Sequence, residues 1–319
     1  MLAPIIVTVY DRLGHLQQCI GALQKNDQAR DSELYVVSDA AYKPEHRDRI
    51  EKVREYVRTI SGFKEVKFIF REVNYGAFRS FLDGVNQVLA SHERFIFLED
   101  DVLACPQFLR YLNDGLQFYE KENKVFSIAA YTHPIQLPHD FKGDVFFLPA
   151  NCPWGFASWK NRFEKVDFSA MNRYAIVMND KALYRRVASM GNYMLGILKS
   201  DSEEKYKVPD VRVAFHQFVH EQYTVHARTS LVRNIGLDGS GLHSGVDKEN
   251  KYHVTLDDSM KTVTFSSAIE LNPRIMARIR RFQNGNLRTQ LVFHLSQGLK
   301  KFRITRHLLD TVRRRSATR

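Results

Sequence analysis

The chain has 319 residues, 44% of them hydrophobic, which is enough for one large domain or two modest ones with a substantial core. Its formal net charge of +11 is concentrated in residues 274–319, where 13 Lys and Arg face one acid, so the rest of the chain is close to neutral. No apolar run approaches the about 18 residues of a membrane-spanning helix. Three cysteines without a CxxC pair argue against a disulfide scaffold or a zinc ribbon and suit a reducing cytoplasm.

Short apolar runs alternate with helical periodicity through the first half of the chain. The predicted strands cover residues 4–9, 33–38, 66–70, 94–98 and 125–129. The predicted helices carry apolar residues at helical spacing over 13–23, 50–60, 78–89 and 106–116. This alternation predicts an α/β fold with a mainly parallel sheet covered by helices on both faces. Residues 131–153 and 233–260 are rich in loops and are expected to carry parts of the site.

Three consecutive acids follow the apolar run 95–98, and they are the most informative local feature. The carboxyl end of a buried parallel strand is where open α/β sheets place their ligands. Glu99, Asp100 and Asp101 repel one another and lose hydration there, so they need a compensating cation. Oxygen ligands favour Mg²⁺ or Mn²⁺, which bridge to substrate phosphates. The alternative is a solvated loop after a strand.

The loop after the first predicted strand, residues 9–15, contains neither GxGxxG nor GxxxxGK[ST]. A dinucleotide-binding dehydrogenase and a P-loop NTPase are therefore disfavoured, because each needs glycines that bring backbone amides against phosphate. Phosphate charge then has to be met by side chains and a metal. Arg12, at the end of the first strand, is a candidate for contacting a phosphate or a base.

Five segments in order carry a resemblance to a known family. They are residues 4–12, 37–39, 97–109, 153–159 and 230–243. Together they resemble GT-A-fold glycosyltransferases, bacterial enzymes like those of family 2 that are related to the eukaryotic N-acetylglucosaminyltransferase I type. The resemblance implies a Rossmann-like GT-A domain over residues 1–265, with a nucleotide-sugar half of about 1–130, an acceptor half of about 131–265, and a separate basic tail over 274–319.

The resemblance also implies roles for individual residues of the nucleotide-sugar half. Asp101 matches the position of a residue that binds the metal directly in the family, and the implied cofactor is Mn²⁺ or Mg²⁺. Glu99 and Asp100 would contact the ribose and sugar of a nucleoside-diphosphate sugar, with a UDP-sugar favoured. Arg12 and Asp39 match positions that hold the nucleoside. A further match is the loop that passes close to the nucleotide, formed by Asn74, Tyr75 and Gly76.

Inverting glycosyl transfer needs a carboxylate that deprotonates the acceptor hydroxyl on the face opposite the leaving group. Asp210, at the start of a predicted helix, resembles the family's base in position, although the tryptophans found near that base are replaced here by Val208, Pro209 and Val213. The alternative role for Asp210 is that of a helix N-cap. The nearby pair His216 and His220 has zinc-site spacing but lacks the catalytic Glu after the first His, so zinc hydrolysis is disfavoured.

The predicted acceptor half contributes five candidates, which are Trp154, Gly155, Trp159, Asp238 and His243. Trp154 and Trp159 lie in a loop with Gly155, where indole faces could bind a sugar and the glycine allows close approach, and the alternative for each tryptophan is packing in the core. Asp238 and His243 lie in a glycine-containing loop that could close over a ligand, with His243 completing the metal's coordination or touching the diphosphate. A plain surface turn is the alternative there.

The C-terminal tail predicts a basic amphipathic helix. Its apolar stripe consists of Leu287, Leu291, Leu295, Leu299 and Phe302, and its polar face is rich in Lys and Arg. Such a helix is typical of a peripheral anchor on anionic lipid. The prediction is a cytoplasmic enzyme bound to the inner face of the membrane, acting on a glycan or lipid-linked acceptor in bacterial surface polysaccharide or lipopolysaccharide assembly. Packing of the tail on the body is an alternative, and nucleic-acid binding is disfavoured because the body shows no such motif.

Two other classes of function remain open from sequence. A sugar-phosphate nucleotidyltransferase uses a similar sheet and metal, but it would be expected to carry a glycine-rich basic loop after the first strand, which is absent here. A non-enzymatic membrane or nucleic-acid adaptor would rest on the tail alone and would leave the acidic residues unexplained.

Overall fold

A computed structural model describes residues 2–205, 207–241, 246–247, 249–256 and 262–284. In these residues the strands are β1 (Ile5–Val9), β2 (Glu33–Ser38), β3 (Glu65–Phe70), β4 (Arg94–Glu99), β5 (Val102–Ala104), β6 (Val125–Ala129), β7 (Val145–Leu148), β8 (Phe156–Trp159), β9 (Tyr223–Ala227) and β10 (Val232–Asn234). The α-helices are α1 (Leu13–Leu23), α2 (Arg47–Thr59), α3 (Gly76–Leu89), α4 (Phe108–Phe118), α5 (Lys160–Phe163), α6 (Arg173–Asn179), α7 (Lys181–Ser189), α8 (Asn192–Ser202), α9 (Pro209–His220) and α10 (Pro273–Asn284).

The central sheet has eight strands in the order β3-β2-β1-β4-β8-β6-β9-β7. The first four of these pair in parallel, whereas β8 runs antiparallel between β4 and β6, and β7 is antiparallel to β9. Strands β5 and β10 form a separate two-stranded antiparallel ribbon. The predicted α/β class with a mainly parallel sheet between helices is confirmed, and it is the architecture of the GT-A fold.

The core lies on both faces of the sheet. Helix α1 buries Leu16, Ile20 and Leu23 on one face, and α3 buries Val85 and Leu89 on the other. The helical spacing of these apolar residues is the reason each helix packs against the sheet with a single face. The inner parallel strands β1, β2 and β4 are mostly buried, as expected for strands covered on both sides, whereas the edge strand β3 is partly exposed, with Phe68 half exposed.

One predicted loop is a strand. Residues 153–159 were expected to form a ligand-binding loop, but the loop ends at Gly155 and the next four residues form β8. All four are buried, because β8 is inserted between β4 and β6 in the middle of the sheet. A short run without period-two alternation is typical of such a buried strand and is not distinctive in the sequence.

A third apolar cluster joins the later helices to the edge strand β7. It includes Ile275, Met276 and Ile279 of α10, so the first eleven residues of the predicted basic tail, 274–284, belong to a helix that packs on the body. The rest of that tail, residues 285–319, lies outside the described residues. Among the described helices, none has the length and apolar character needed to cross a membrane.

Candidate active site

The parallel pairing of β1, β2 and β4 brings three chain segments to one edge of the sheet. Val9 is paired with Ser38, and Thr8 is paired with both Val37 and Glu99. The residues that follow these strand ends therefore meet, although they are separated by up to 90 positions in the sequence. This edge carries Arg12, Asp39 and the acidic residues 99–101, which were predicted to share one site.

Arg12 is paired with two of the three acids. Its Nη2 atom donates to Oδ2 of Asp101 at 2.8 Å and makes a shorter contact with Asp100, while Nε lies 3.4 Å from Oδ2 of Asp100. Both aspartates are buried, at 3% and 6% exposed. Adjacent buried carboxylates need a compensating cation, and within the described residues a guanidinium supplies it.

Burial sets the protonation of the acidic residues. It raises the pKa of Asp100 to about 7, although the charge of Arg12 acts in the opposite direction. The pKa of Glu99 is also raised well above its usual range, first by burial and then by the negative charges of Asp101, Asp100 and Asp210. The influence of Asp210 on Glu99 places these two carboxyl groups within electrostatic range of each other.

The ribbon of β5 and β10 closes one side of Asp101. Val102 pairs with Asn234, and the Asp101 carbonyl accepts a hydrogen bond from the amide of Ile235 at 2.8 Å. The Asn234 side chain donates to Oδ1 of Asp101 at 3.3 Å and accepts from the amide of Gly236 at 2.8 Å. A Cβ on Gly236 would lie 2.0 Å from Oδ2 of Asp101, so only glycine fits there.

Asp39 organises the predicted nucleotide loop through its buried carboxylate. Oδ1 accepts from the amides of Ala40 and Tyr75 at 2.9 and 2.8 Å, and Oδ2 accepts from the Asn74 side chain and the Gly76 amide at 3.1 and 2.8 Å. These contacts fill about four acceptor sites, which is the capacity of a carboxylate. Asp39, Asn74, Tyr75 and Gly76 are thus brought together as predicted, with Asp39 bonded to the chain's own donors.

The Tyr75 ring lies between two guanidinium groups. Arg71 and Arg79 approach it with centroid distances of 4.9 and 3.7 Å. Gly76 has a positive φ of 72° and begins α3, so the chain turns sharply at this point. The loop therefore holds its tyrosine ring against two guanidinium groups, of which Arg71 is buried and paired with Asp83 and Arg79 is exposed on α3.

Asp210 lies in the first turn of α9, as its second residue. Val208 occupies the N-cap position without a side-chain cap, so the N-cap role considered for Asp210 is wrong by two positions. Burial raises the pKa of Asp210 to about 6, while hydrogen bonds with its own amide and with that of Val211 act in the opposite direction. Burial raises the pKa of the Cys152 thiol, and the negative charges of Asp210 and Glu99 act in the same direction.

The profile of "Glycosyl transferase family 2" matches residues 5–190, which is more than half of the chain. The chain belongs to glycosyl transferase family 2. No curated protein sequence matches the chain.

Solved structures similar to this family 2 protein include two of Staphylococcus aureus TarS. They are 12% and 13% identical to it, with TM-scores of 0.44 and 0.41 over 75% and 73% of this chain. The chain spans 37% and 60% of the length of those two TarS chains. A third is the mannosyltransferase PcManGT from Pyrobaculum calidifontis in complex with GDP-Man and Mn²⁺, which is 12% identical with a TM-score of 0.39 over 69% of each chain.

The two tryptophans predicted to bind sugar lie in different parts of the family 2 domain. Trp154 is partly buried, with its ring against Tyr131 and Tyr252 at 4.7 and 5.8 Å. Trp159 is only 4% exposed and pairs with Arg94, at the end of β4 opposite Glu99. The Arg162 guanidinium covers its ring at 3.4 Å. The structure therefore does not bring Trp159 to the acidic residues.

Two other predicted residues occupy different surroundings. Gly155 has a φ of 76°, and a Cβ there would lie 3.1 Å from the Phe108 ring and 3.3 Å from Val232, so packing within the fold already requires glycine. Asp238 is exposed and lies 3.2 Å from Nε2 of His15 in α1. His243, the second predicted metal ligand, lies outside the described residues.

The residues around Asp101 are compatible with a cation that takes only one or two ligands from the protein. No group of three or more His, Cys, Asp or Glu side chains suited to a metal occurs within the described part of the chain. Mg²⁺ and Mn²⁺ at nucleotide sites need only one or two carboxylates, because substrate phosphates and water complete the shell. Asp101 can serve in this way, but both of its oxygens are engaged by Arg12 and Asn234.

Sequence reasoning missed two residues of this family 2 site, Asn234 and Gly236. Both lie within the segment 230–243 that carried part of the resemblance. The signal was an Asn-x-Gly sequence at the end of the short strand β10, since asparagine and glycine are typical of turns with special backbone geometry. Their contact with Asp101 spans more than 130 positions, and no local pattern predicts it.

Proposed function

We propose that the protein is a metal-dependent, inverting glycosyltransferase that moves a hexosyl or N-acetylhexosaminyl group from a nucleoside-diphosphate sugar to a glycan or lipid-linked acceptor. A UDP-sugar is the favoured donor. The proposal includes a relation to enzymes of the N-acetylglucosaminyltransferase I type and a role in bacterial surface polysaccharide or lipopolysaccharide assembly. Family membership supports the reaction class, and the residues at the sheet edge support the assignment of roles.

The observation that carries this proposal is the approach of Asp210 to the acidic residues. Asp210 comes from the start of α9, whereas Glu99 ends β4, and the negative charge of Asp210 contributes to the raised pKa of Glu99. A base for inversion must lie on the acceptor side of the donor site with its carboxylate free to take a proton. With a pKa of about 6, Asp210 is mostly ionised at neutral pH and is a stronger base than an ordinary aspartate.

The other residues have positioning roles. Asp39 fixes the loop of Asn74 and Tyr75, so that this loop can hold the nucleoside without rearrangement. Glu99 and Asp100 lie where the ribose and the transferred sugar would bind. A divalent ion held by Asp101, with His243 as a second proposed ligand, would offset charge on the departing diphosphate.

The acceptor half is proposed to bind carbohydrate beside Trp154. Its ring belongs to an aromatic group with Tyr131 and Tyr252, and flat aromatic faces suit the C–H surfaces of sugars. Trp159 is less suited to such a role because it is buried beneath Arg162. Asp238 remains a candidate for contacting the acceptor, since it is exposed beside the ribbon that carries Asn234.

Membrane association is proposed for the tail. Residues 285–319 combine the leucine stripe with nine Lys and Arg and one acid. Each basic residue near an anionic surface contributes on the order of 1 kcal/mol, and the apolar stripe adds burial in the interface. An enzyme held in this way at the cytoplasmic face of a bacterial membrane would meet lipid-linked acceptors there.

A donor panel tests the proposed function. Purified full-length protein is incubated with UDP- and GDP-sugars, with and without Mn²⁺, and release of nucleoside diphosphate is measured along with product mass. We expect release that depends on Mn²⁺, is abolished by EDTA and favours one UDP-sugar. Activity that is undiminished by EDTA would refute the metal dependence, and a preference for GDP-sugars would refute the choice of nucleotide.

A further inference from the structure

We propose that Arg12 is a resident counter-cation that competes with the divalent ion for the carboxylate of Asp101. In this role Arg12 pairs with both Asp100 and Asp101 before ligands bind, and its ion pair with Asp101 breaks when the divalent ion binds. The inference rests on the metal dependence proposed above and adds a positioning residue to it. Arg12 was expected only to contact a phosphate or a base.

The first argument is the geometry of the ion pairs. A single nitrogen, Nη2 of Arg12, contacts both Asp100 and Asp101 and lies 2.8 Å from Oδ2 of Asp101. The carboxylates are 4% and 9% exposed, so water does little to offset their repulsion. The repulsion between these two carboxylates can be offset by a bridging guanidinium or by a bound divalent ion. The Arg12 guanidinium and the ion cannot both bind Oδ2 of Asp101 at the same time.

The second argument is the lack of space around Asp101. Asn234 engages Oδ1 from one side, and the Cα of Gly236 lies so close that a Cβ would be 2.0 Å from Oδ2. The same hypothetical Cβ would lie 2.9 Å from Nη1 of Arg12, so Gly236 touches both members of the pair. An ion that coordinates Oδ2 therefore has to displace Arg12 or the turn at Gly236.

The third argument is an unused donor. Nη1 of Arg12 is buried and has no hydrogen-bond partner among the described residues. A buried donor without a hydrogen bond is energetically unfavourable, so the Arg12 side chain is expected to reorient when an acceptor for Nη1 binds nearby. Phosphate oxygens of a nucleoside diphosphate accept from guanidinium groups in a bidentate manner. An Arg12 that turns toward the diphosphate would free Asp101 for the ion.

Mn²⁺ affinity of the nucleotide-free protein tests the competition directly. Full-length wild type, Arg12→Gln and Arg12→Lys are titrated with Mn²⁺ alone, with free Mn²⁺ measured by electron paramagnetic resonance. We expect Arg12→Gln to bind Mn²⁺ about 10-fold more tightly than wild type. Arg12→Lys, which keeps the charge without the planar fork, should lie between the two.

A matched control separates local competition from overall charge. Arg49 lies on α2, is 56% exposed, and pairs at 2.9 Å with Asp11, the residue that precedes Arg12, rather than with Asp100 or Asp101. Arg49→Gln removes the same charge and should change Mn²⁺ affinity by less than about 2-fold, because the Arg49 guanidinium is more than half exposed and its charge is screened by solvent. An equal gain in Arg49→Gln would assign the effect to net charge and overturn the inference.

The remaining outcomes distinguish this inference from the proposed function. If Asp101→Asn abolishes Mn²⁺ binding while Arg12→Gln binds it as wild type does or more weakly, the metal site stands and competition by Arg12 is refuted. If wild type and all variants fail to bind Mn²⁺ even with nucleotide present, the metal dependence fails and the inference fails with it. Should Arg12→Gln not fold by circular dichroism, Arg12→Lys decides, and affinity equal to wild type contradicts the proposal.

Discussion

Gly236 lies against the carboxylate of Asp101, so closely that a Cβ at this glycine would fall 2.0 Å from Oδ2. The contact joins the end of β4 to the turn after β10, and it is reinforced by the hydrogen bond from Ile235 to the Asp101 carbonyl. The position of the proposed metal ligand therefore depends on a turn that is far away in sequence.

Gly236→Ala should disturb Asp101 without changing any charge. The added methyl has to push away the carboxylate or the turn, and overpacking of this kind typically costs about 1–3 kcal/mol. We expect a melting temperature lowered by several degrees and donor binding weakened by about 10-fold or more, measured by thermal unfolding and calorimetry.

The control for this substitution is Gly14→Ala, in α1, where a Cβ meets no atom within 4 Å. Alanine is favoured over glycine in a helix by up to about 1 kcal/mol, so this variant should be as stable as wild type or more stable. Unchanged donor binding in Gly236→Ala would contradict the claim that the turn sets the position of Asp101.

Asp101→Asn removes one carboxylate charge while keeping the shape of the side chain. Because the neighbouring acids repel one another and Arg12 can still pair with Asp100, the fold should be retained. Metal-dependent donor binding should be lost together with turnover, since a neutral amide is a poor ligand for Mn²⁺ or Mg²⁺. Full activity in this variant, assayed by release of nucleoside diphosphate, would remove Asp101 from the proposed metal site.

Activity should depend on the ionisation of Asp210. Its pKa is raised to about 6, and a general base has to be deprotonated, so kcat/KM should rise with pH up to about 6 and level off above it. Below pH 6 the value of kcat/KM should fall by about tenfold for each pH unit. The pKa of Asp100 is raised to about 7, so a second ionisation can appear on the same side of the profile. An identical pH profile in Asp210→Asn would assign the loss of activity at low pH to the acidic residues 99–101 at the end of β4.

Removal of residues 285–319 tests the membrane proposal. The body should remain folded, because the truncation leaves α10 intact up to Asn284, which accepts a hydrogen bond from the amide of Asn192 at 2.6 Å. Turnover with a soluble acceptor should be retained. Co-sedimentation with vesicles that contain anionic lipid should be lost, and binding of the full chain should weaken as salt rises.

A charge-only variant, with Arg313, Arg314 and Arg315 replaced by glutamine, serves as the control. It keeps the leucine stripe and should retain weaker, less salt-sensitive vesicle binding. Loss of folding on truncation would indicate that the stripe belongs to the core. Equal vesicle binding by the full and truncated chains would reject the anchor.

The parallel half of the fold follows from local patterns. Each predicted strand from 4–9 to 125–129 is present within a residue or two, because buried strands and one-sided helices leave distinct periodicities. The convergence of Arg12, Asp39 and Glu99 also follows, since the carboxyl ends of adjacent parallel strands meet at one edge.

The other parts of the fold and of the candidate site depend on contacts between distant residues, which no local sequence pattern predicts. Strand β8 is only four residues long, and its position between β4 and β6 is set by antiparallel pairing with both. The same is true of Asn234, which reaches Asp101 because β10 pairs with β5. The carboxylate of Asp39 was expected to meet a nucleoside, yet its hydrogen bonds with Tyr75 and Gly76 could not be foreseen, because they depend on how the loop before α3 turns.

The central claim is that Asp210 takes the proton of the acceptor hydroxyl at a donor site built on Asp101. Single-turnover transfer by Asp210→Asn, with donor affinity measured on the same preparation, tests it most directly. Asp180→Asn is the matched control, because Asp180 also lies at a helix start but caps α7 through the amides of Ala182 and Leu183. We predict that Asp210→Asn lowers the transfer rate by about 10²-fold or more with donor affinity within about 2-fold, while Asp180→Asn keeps the wild-type rate. A near-normal transfer rate in Asp210→Asn would contradict the account.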